Sequence, residues 1–284
     1  MILWPDTWNN HFHPTTAQAA VEVLEDAGFH VLIPQVELCC GRPLYDYGML
    51  DLAKKLLNEI IDSLGPQIEA GICIVGLEPS CVSVFRDEMS NLLRGREQAK
   101  RFKAQTYLLT EFLEKFAPDY QPPKLSRKVV AHAHCHHKSV LDMKSEEKIL
   151  SKLGVEYQLL DDGCCGMAGA FGFERGEHYD VSIKAGERGL LPAVREAASD
   201  TIIVADGFSC REQITQTTTR QALHPAQLIK LAIDDHDGVS PPYPELRYMP
   251  DPHKQARMAT LRGLFALGGL AVGVALQRSS KRRP

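Results

Sequence analysis

The chain has 284 residues, 44% hydrophobic and 24% charged, an ordinary globular composition with length enough for two small domains or one large one. Its formal charge of −4 is uneven: residues 247–284 hold eight Lys and Arg against Asp251, a tail of +7, which leaves the body at −11. An acidic body argues against nucleic acid as a partner, because phosphate binding needs a basic face, and the opening MILWPDTWNNHFHP lacks the basic start and long apolar run of a secretory signal.

In chain order, the first half predicts a strand at 2–4, a helix at 15–27 and a strand at 30–33. LCCGRP follows, with Cys39 and Cys40, and then an amphipathic helix at 49–64 with Leu52, Leu56, Ile60 and Leu64 at helical spacing. A buried strand at 72–75, a helix at 80–93 that begins with Cys81 and a further helix at 97–116 complete a first unit, 1–117. The proline-rich segment 118–126 is the linker. The second unit, 127–235, repeats the order: strand 129–131, helix 146–153, strand 156–159, the Cys164-Cys165-Gly166 turn, helix 181–197, strand 201–205 and a helix carrying Cys210. Strands alternating with helices predict an α/β fold of two pseudo-symmetric parallel-sheet units, each with a Cys-Cys-Gly motif. Residues 236–284 form a basic tail with a short apolar segment.

Seven of the eight cysteines belong to this repeat: Cys39, Cys40 and Cys81 in the first copy, Cys135, Cys164, Cys165 and Cys210 in the second. In a cytoplasmic setting thiols stay reduced, and adjacent cysteines suit presentation of two thiolates to one metal centre better than a disulfide. Cys81 and Cys210 each follow an apolar strand at the start of a helix, where backbone N–H groups and the helix dipole favour a thiolate. The second copy supplies the four thiolates that an iron-sulfur cluster requires, although four thiolates also make a closed zinc site. The first copy has three, and repeat alignment puts Asp6 opposite Cys135 and Glu78 opposite Gly207, so both carboxylates are candidate accessory groups at a second site. His11, His13, His132, His134, His136 and His137 crowd the same regions. They could cap helices and satisfy backbone, or, as for His134 and His136 beside Cys135, act on the metal centre.

The segments CCGRPLYDYGM, EPSC, HCHHK, GCCGMAGAFGFE and ADGFSCREQ resemble the cysteine-rich CCG domains of iron-sulfur oxidoreductases, above all the C-terminal region of fused FAD-linked oxidases with iron-sulfur domains. The likeness covers about residues 1–233 and implies an iron-sulfur cluster of the 4Fe-4S type, best supplied with ligands in the second copy. It also implies an electron-transfer subunit of a flavin-dependent 2-hydroxyacid (D-lactate or glycolate type) oxidoreductase, passing electrons toward a quinone or other acceptor. The expected partners are an FAD-binding oxidase subunit and a ferredoxin-type subunit, since the chain has neither a CxxCxxC run nor a Gly-rich flavin segment. The family pattern places one cysteine, then Cys-Cys, then CxxC in each copy; here Asp6, Glu78 and Gly207 depart from it. The alternatives are a zinc-stabilised docking module and a thiol-disulfide enzyme of the heterodisulfide reductase kind.

The tail holds fourteen uncharged residues, 263–276, followed by Arg278, Lys281, Arg282 and Arg283. As a helix this run reaches roughly 21 Å, short of the roughly 30 Å hydrocarbon core. The expectation is a quinone or membrane-surface contact through 263–283, on the cytoplasmic face, and not a full span.

Overall fold

Two three-stranded parallel sheets organise the computed structural model, which describes residues 1–235 and 242–248. In the first half β1 (Ile2–Leu3), β2 (Ile74–Gly76) and β3 (Thr106–Leu108) lie in that order, with Ile2 opposite Ile74 and Ile74 opposite Thr106. In the second half β4 (Lys128–His132), β5 (Glu156–Leu159) and β6 (Ile202–Ala205) take the order β5-β4-β6, with Val129 opposite both Tyr157 and Ile202. Isolated parallel bridges, Ile2 to Leu32 and Val204 to Leu223, add a fourth position to each sheet. Both halves then share one arrangement: second segment, first, third, fourth. The pseudo-symmetric α/β architecture expected from the repeat is the one observed.

The repeat extends to the last helix of each half, Leu109–Phe116 and Pro225–Asp234. Leu108 N–H donates to Glu111 Oε2 and His224 N–H to Gln227 Oε1, both at 2.9 Å, so a side chain three residues on satisfies an orphan amide at each helix start. The central strands β2 and β6 are wholly buried and read as apolar runs, as parallel sheets require. Trp4, Leu57, Ile60, Phe85 and Phe102 fill the first core; Met167, Leu190, Leu191, Ile203 and Ile214 fill the second.

Four expectations need correction. The predicted helix 97–116 is two helices, Glu97–Gln105 and Leu109–Phe116, with β3 between them, since Thr106 is β-branched and pairing with β2 absorbs the backbone of a short apolar run that periodicity cannot tell from helix. The predicted helix 181–197 breaks into Glu177–Gly186 and Leu190–Glu196 about Gly189, whose missing Cβ makes room for Asp162. In the helix Leu50–Glu69 the buried face is Ala53, Leu57, Ile60, Ile61, Leu64 and Ile68, and Leu52 is exposed. The strand at 30–33 survives only as the Leu32 bridge.

Residues Met1–Leu246 pack as one compact unit, and Arg247–Pro284 form a second unit that lies almost wholly outside the described residues. The apolar segment and basic run expected at 263–283 fall there. Among the described residues no helix is long and apolar enough to cross a membrane. Within the first unit the helices Pro14–Asp26 and Pro225–Asp234 pack together across the halves, joined by Gln227 Nε2 donating to Thr15 Oγ1 at 3.2 Å and Lys230 pairing with Glu22 at 2.9 Å. Trp8 stacks on Phe208 with ring centroids 4.4 Å apart.

Candidate metal centre

Parallel sheets place ligand groups beyond the carboxyl ends of their strands, and all the repeat cysteines sit there. In the second half Cys135 opens the helix Cys135–Val140 after β4, the Cys164-Cys165 pair follows β5, and Cys210 lies in the first turn of Phe208–Thr217 after β6. Three adjacent strands thus aim four thiols at one place. Cys135 is electrostatically coupled to Cys164, and Cys165 to both Cys164 and Cys210, so the four thiols are linked pairwise. Gly166 N–H donates to Cys164 Sγ at 3.3 Å, and the amides of His136 and Met167 face Cys135 and Cys165. Cys135 and Cys164 are exposed, whereas Cys165 and Cys210 are buried.

The surroundings favour thiolate at two of these sulfurs, Cys164 and Cys210, while hydrogen bonding to Cys164 and burial push Cys135 and Cys165 up. Hydrogen bonds from Cys135 and Cys165 hold Cys164 far below the ordinary thiol range, and Cys165, then His132 and His134, do the same for Cys210 against the cost of burial. His132 is buried with Nδ1 hydrogen-bonded to Asp162 at 2.8 Å. Burial opposes its imidazolium, but the Cys210 thiolate and Asp162 outweigh that and push it up to about 10. Burial, then Arg42 and His134, bring His136 down to about 4. The donor atoms of His134, Cys135 and His136 lie within 4.8 Å of one another, and the two rings stack at 5.1 Å, so both histidines border the centre. Four converging thiols, two of them stabilised as thiolates and met by backbone amides, fit a thiolate-bound cluster.

In the first half Cys39, Cys40 and Cys81 also converge, with Cys40 Sγ and Cys81 Sγ 3.0 Å apart and Gly41 N–H donating to Cys39 Sγ at 3.5 Å. Here the chemistry differs. Cys39 is pushed up by its hydrogen bond to Cys40 and by burial, and burial together with Asp6 and Glu78 raises Cys81 against the lowering effect of Cys40. Both carboxylates are already engaged. Asp6 accepts from Asn9 N and Asn9 Nδ2, each at 2.9 Å. Glu78 accepts from Ser80 Oγ at 2.8 Å and, across the halves, from Phe208 N at 2.8 Å. Buried Arg211 completes the network: it donates to Asp206 O at 2.8 Å and Asn9 Oδ1 at 2.9 Å, with Glu78 and Asp6 as its leading opposite charges. Arg42, the other arginine beside the repeat, pairs with Glu88.

The model of the cysteine-rich domain family matches residues 7–86 and 129–215, which include every cysteine described above. The chain belongs to the CCG family. It is 30% identical over 229 residues to a subunit of the anaerobic glycerol-3-phosphate dehydrogenase of Escherichia coli (strain K12), an alignment covering 79% of this chain and 57% of that protein. It is 29% identical over 235 residues to lactate utilization protein A of an Exiguobacterium species, covering 80% and 92%, and 25% identical over 231 residues to D-2-hydroxyglutarate dehydrogenase of Pseudomonas putida, covering 81% and 22%. The match therefore spans little more than half of the Escherichia coli protein and about a fifth of the Pseudomonas dehydrogenase.

Among CCG features, the departure at Gly207 has a structural reason. A Cβ there would lie 2.2 Å from His134 Cδ2, so the His134 ring fills the space that a side chain at 207 would need. Sequence reasoning brought out the histidines but missed Asp162, Asp206 and Glu146, which orient them. Asp162 and Asp206 stand just after the strands β5 and β6 and Glu146 in a polar helix start, and only folding brings each to a histidine.

Proposed function

We propose that this chain is an iron-sulfur electron-transfer subunit of a flavin-dependent 2-hydroxyacid oxidoreductase, with its cluster on Cys135, Cys164, Cys165 and Cys210. The observation that carries the reading is the placement of four cysteines at the carboxyl ends of the adjacent strands β5, β4 and β6. A cluster bound there supplies one-electron transfer, and four thiolates are the usual complement for it. Support for the redox setting comes from the relatives, which are named for lactate utilization and for two dehydrogenases.

The chain's own part is to hold and tune. Cys165 and Cys210 anchor the centre in the buried core, while exposed Cys135 and Cys164 bring its other side to the surface, where a flavoprotein donor can approach. Backbone amides of His136, Gly166 and Met167 hydrogen-bond to sulfur, and His132, fixed by Asp162, sets a positive charge beside Cys210. Such contacts stabilise the more negative, reduced state. In this reading FAD belongs to a separate subunit, and the electrons leave for a quinone or another acceptor.

The test is iron, acid-labile sulfide and zinc content on anaerobically purified chain, with the visible spectrum before and after dithionite. About four irons and four sulfides per chain, with bleaching on reduction, are expected for a 4Fe-4S centre. About one zinc and no sulfide would replace the reading with a zinc-stabilised docking module.

A further inference from the structure

At the seam of the two halves lies a small cavity of about 10 Å³. Gly76, Leu77 and Thr110 of the first half and His137, Glu146 and Asp206 of the second help line it. All three of these second-half residues are buried, with Glu146 only 2% exposed. Their donor atoms lie within 4.8 Å of one another: His137 Nδ1 is 2.5 Å from Asp206 Oδ2 and 3.7 Å from a Glu146 carboxylate oxygen.

The orientation of each group is set from outside the cluster. His137 Nε2 is 3.2 Å from the carbonyl oxygen of Asp142, which can only accept, so Nε2 carries a proton and Nδ1 is the nitrogen turned to the carboxylates. Asp206 uses Oδ1 to accept from His134 N at 2.9 Å, which leaves Oδ2 for the cluster. Glu146 Oε1 is buried with no hydrogen-bond partner. An imidazole held by a carbonyl through its far nitrogen, and a carboxylate held by an amide, is how ligands are aimed at a metal.

Two buried carboxylates beside one imidazole, with one carboxylate oxygen left without a partner, make a pocket suited to a cation. A divalent cation would take Nδ1 as a ligand, neutralise both carboxylates and satisfy the orphaned Oε1. The cavity is about the size of one water-sized species, enough for a single small cation.

We propose that His137, Glu146 and Asp206 form a second metal site, for one divalent cation of the zinc class, distinct from the cysteine centre and lying at the seam of the two halves. One nitrogen and two oxygen donors suit zinc, with iron(II) and manganese(II) as competitors. The site joins Asp206, at the end of β6, to the helices Cys135–Val140 and Lys144–Leu153. It does not depend on what the cysteines hold.

The experiment uses the full chain purified anaerobically with its native centre, exposed to a slight excess of Zn2+, desalted, and analysed for zinc, iron and sulfide alongside Glu146→Gln and Cys164→Ser. About one retained zinc per chain is expected, bound at least about tenfold more weakly by Glu146→Gln with iron and sulfide unchanged, and still bound by Cys164→Ser. Zinc X-ray absorption on the wild type needs no variant: a shell of nitrogen and oxygen near roughly 2.0–2.2 Å supports the site, and a sulfur shell near roughly 2.3 Å overturns it. No retained zinc, equal binding by Glu146→Gln, or loss of zinc in Cys164→Ser alone would overturn it too, the first leaving His137, Asp206 and Glu146 as a group held together by protons only.

Discussion

The two halves of this protein have the same sheet order and the same three places for ligands beyond the strand ends, yet they are furnished differently. In the second half those places hold four thiols with His132 and His134 beside them, and two of the thiols are held as thiolates. In the first half Asp6 and Glu78 occupy equivalent positions, and they raise Cys81 where the histidines lower Cys210. The same carboxylates turn outward to bind the other half: Glu78 receives Phe208 N–H, in the helix that carries Cys210, and Asp6 is tied through Asn9 to Arg211 next door to Cys210. The topology supplies the arrangement twice, and side-chain charge separates the copies: two sulfurs of the second are held as thiolates, while all three of the first are pushed up.

The strongest challenge to that contrast is thiol removal, one half at a time. Cys164→Ser takes a central member from the four linked thiols and is expected to lower iron and sulfide content at least about tenfold. Cys40→Ser removes the partner of Cys81 and is expected to leave the second-half content intact. Equal losses, read by metal analysis and visible absorption, would show that both halves hold metal or that they share it.

The two Cys-Cys-Gly turns offer a finer comparison. Gly41 and Gly166 both have positive φ, +77° and +95°, so alanine strains either turn by about 1 kcal/mol. Their surroundings differ. A Cβ at Gly41 meets nothing closer than 3.5 Å, whereas at Gly166 it would lie 2.1 Å from the backbone oxygen of Ser182. Gly166→Ala should therefore cost about 3 kcal/mol or more and Gly41→Ala about 1, compared by denaturant midpoints at equal slope. Equal costs would mean that the second turn is less tightly enclosed than its contact with Ser182 implies.

Much of this was legible in the sequence because the repeat writes it twice. Matching Cys81 to Cys210 and Cys39 to Cys164 places the strands, the turns and the convergence of thiols without reference to packing. What escaped has physical reasons. β3 is three residues long, and a buried run such as Thr106–Leu108 shows no period that separates it from helix. The helix Cys135–Val140, only six residues, carries too little pattern to register. The roles of Asp6 and Glu78 could not be read because their decisive partners, Arg211 and Phe208, are more than a hundred residues away. Repeat alignment presents them as missing cysteines, and the fold presents them as the bolts between halves.

Glu78 gives the smallest effect and the sharpest distinction between support and ligand. Glu78→Ala leaves buried Phe208 N–H and the Ser80 hydroxyl without their acceptor, a loss of about 2–3 kcal/mol. Glu78→Gln keeps an oxygen for Phe208 N–H, and because burial already raises the Glu78 carboxyl toward its neutral form, the amide should cost about 1 kcal/mol or less. If Glu78 is support, both variants keep the iron and sulfide of the wild type while their denaturant midpoints fall further for alanine than for glutamine. A carboxylate that ligated metal would reverse the pattern, with Glu78→Gln losing metal nearly as fully as Glu78→Ala although its fold is barely disturbed, since an amide replaces a hydrogen-bond acceptor far better than it replaces an anionic ligand.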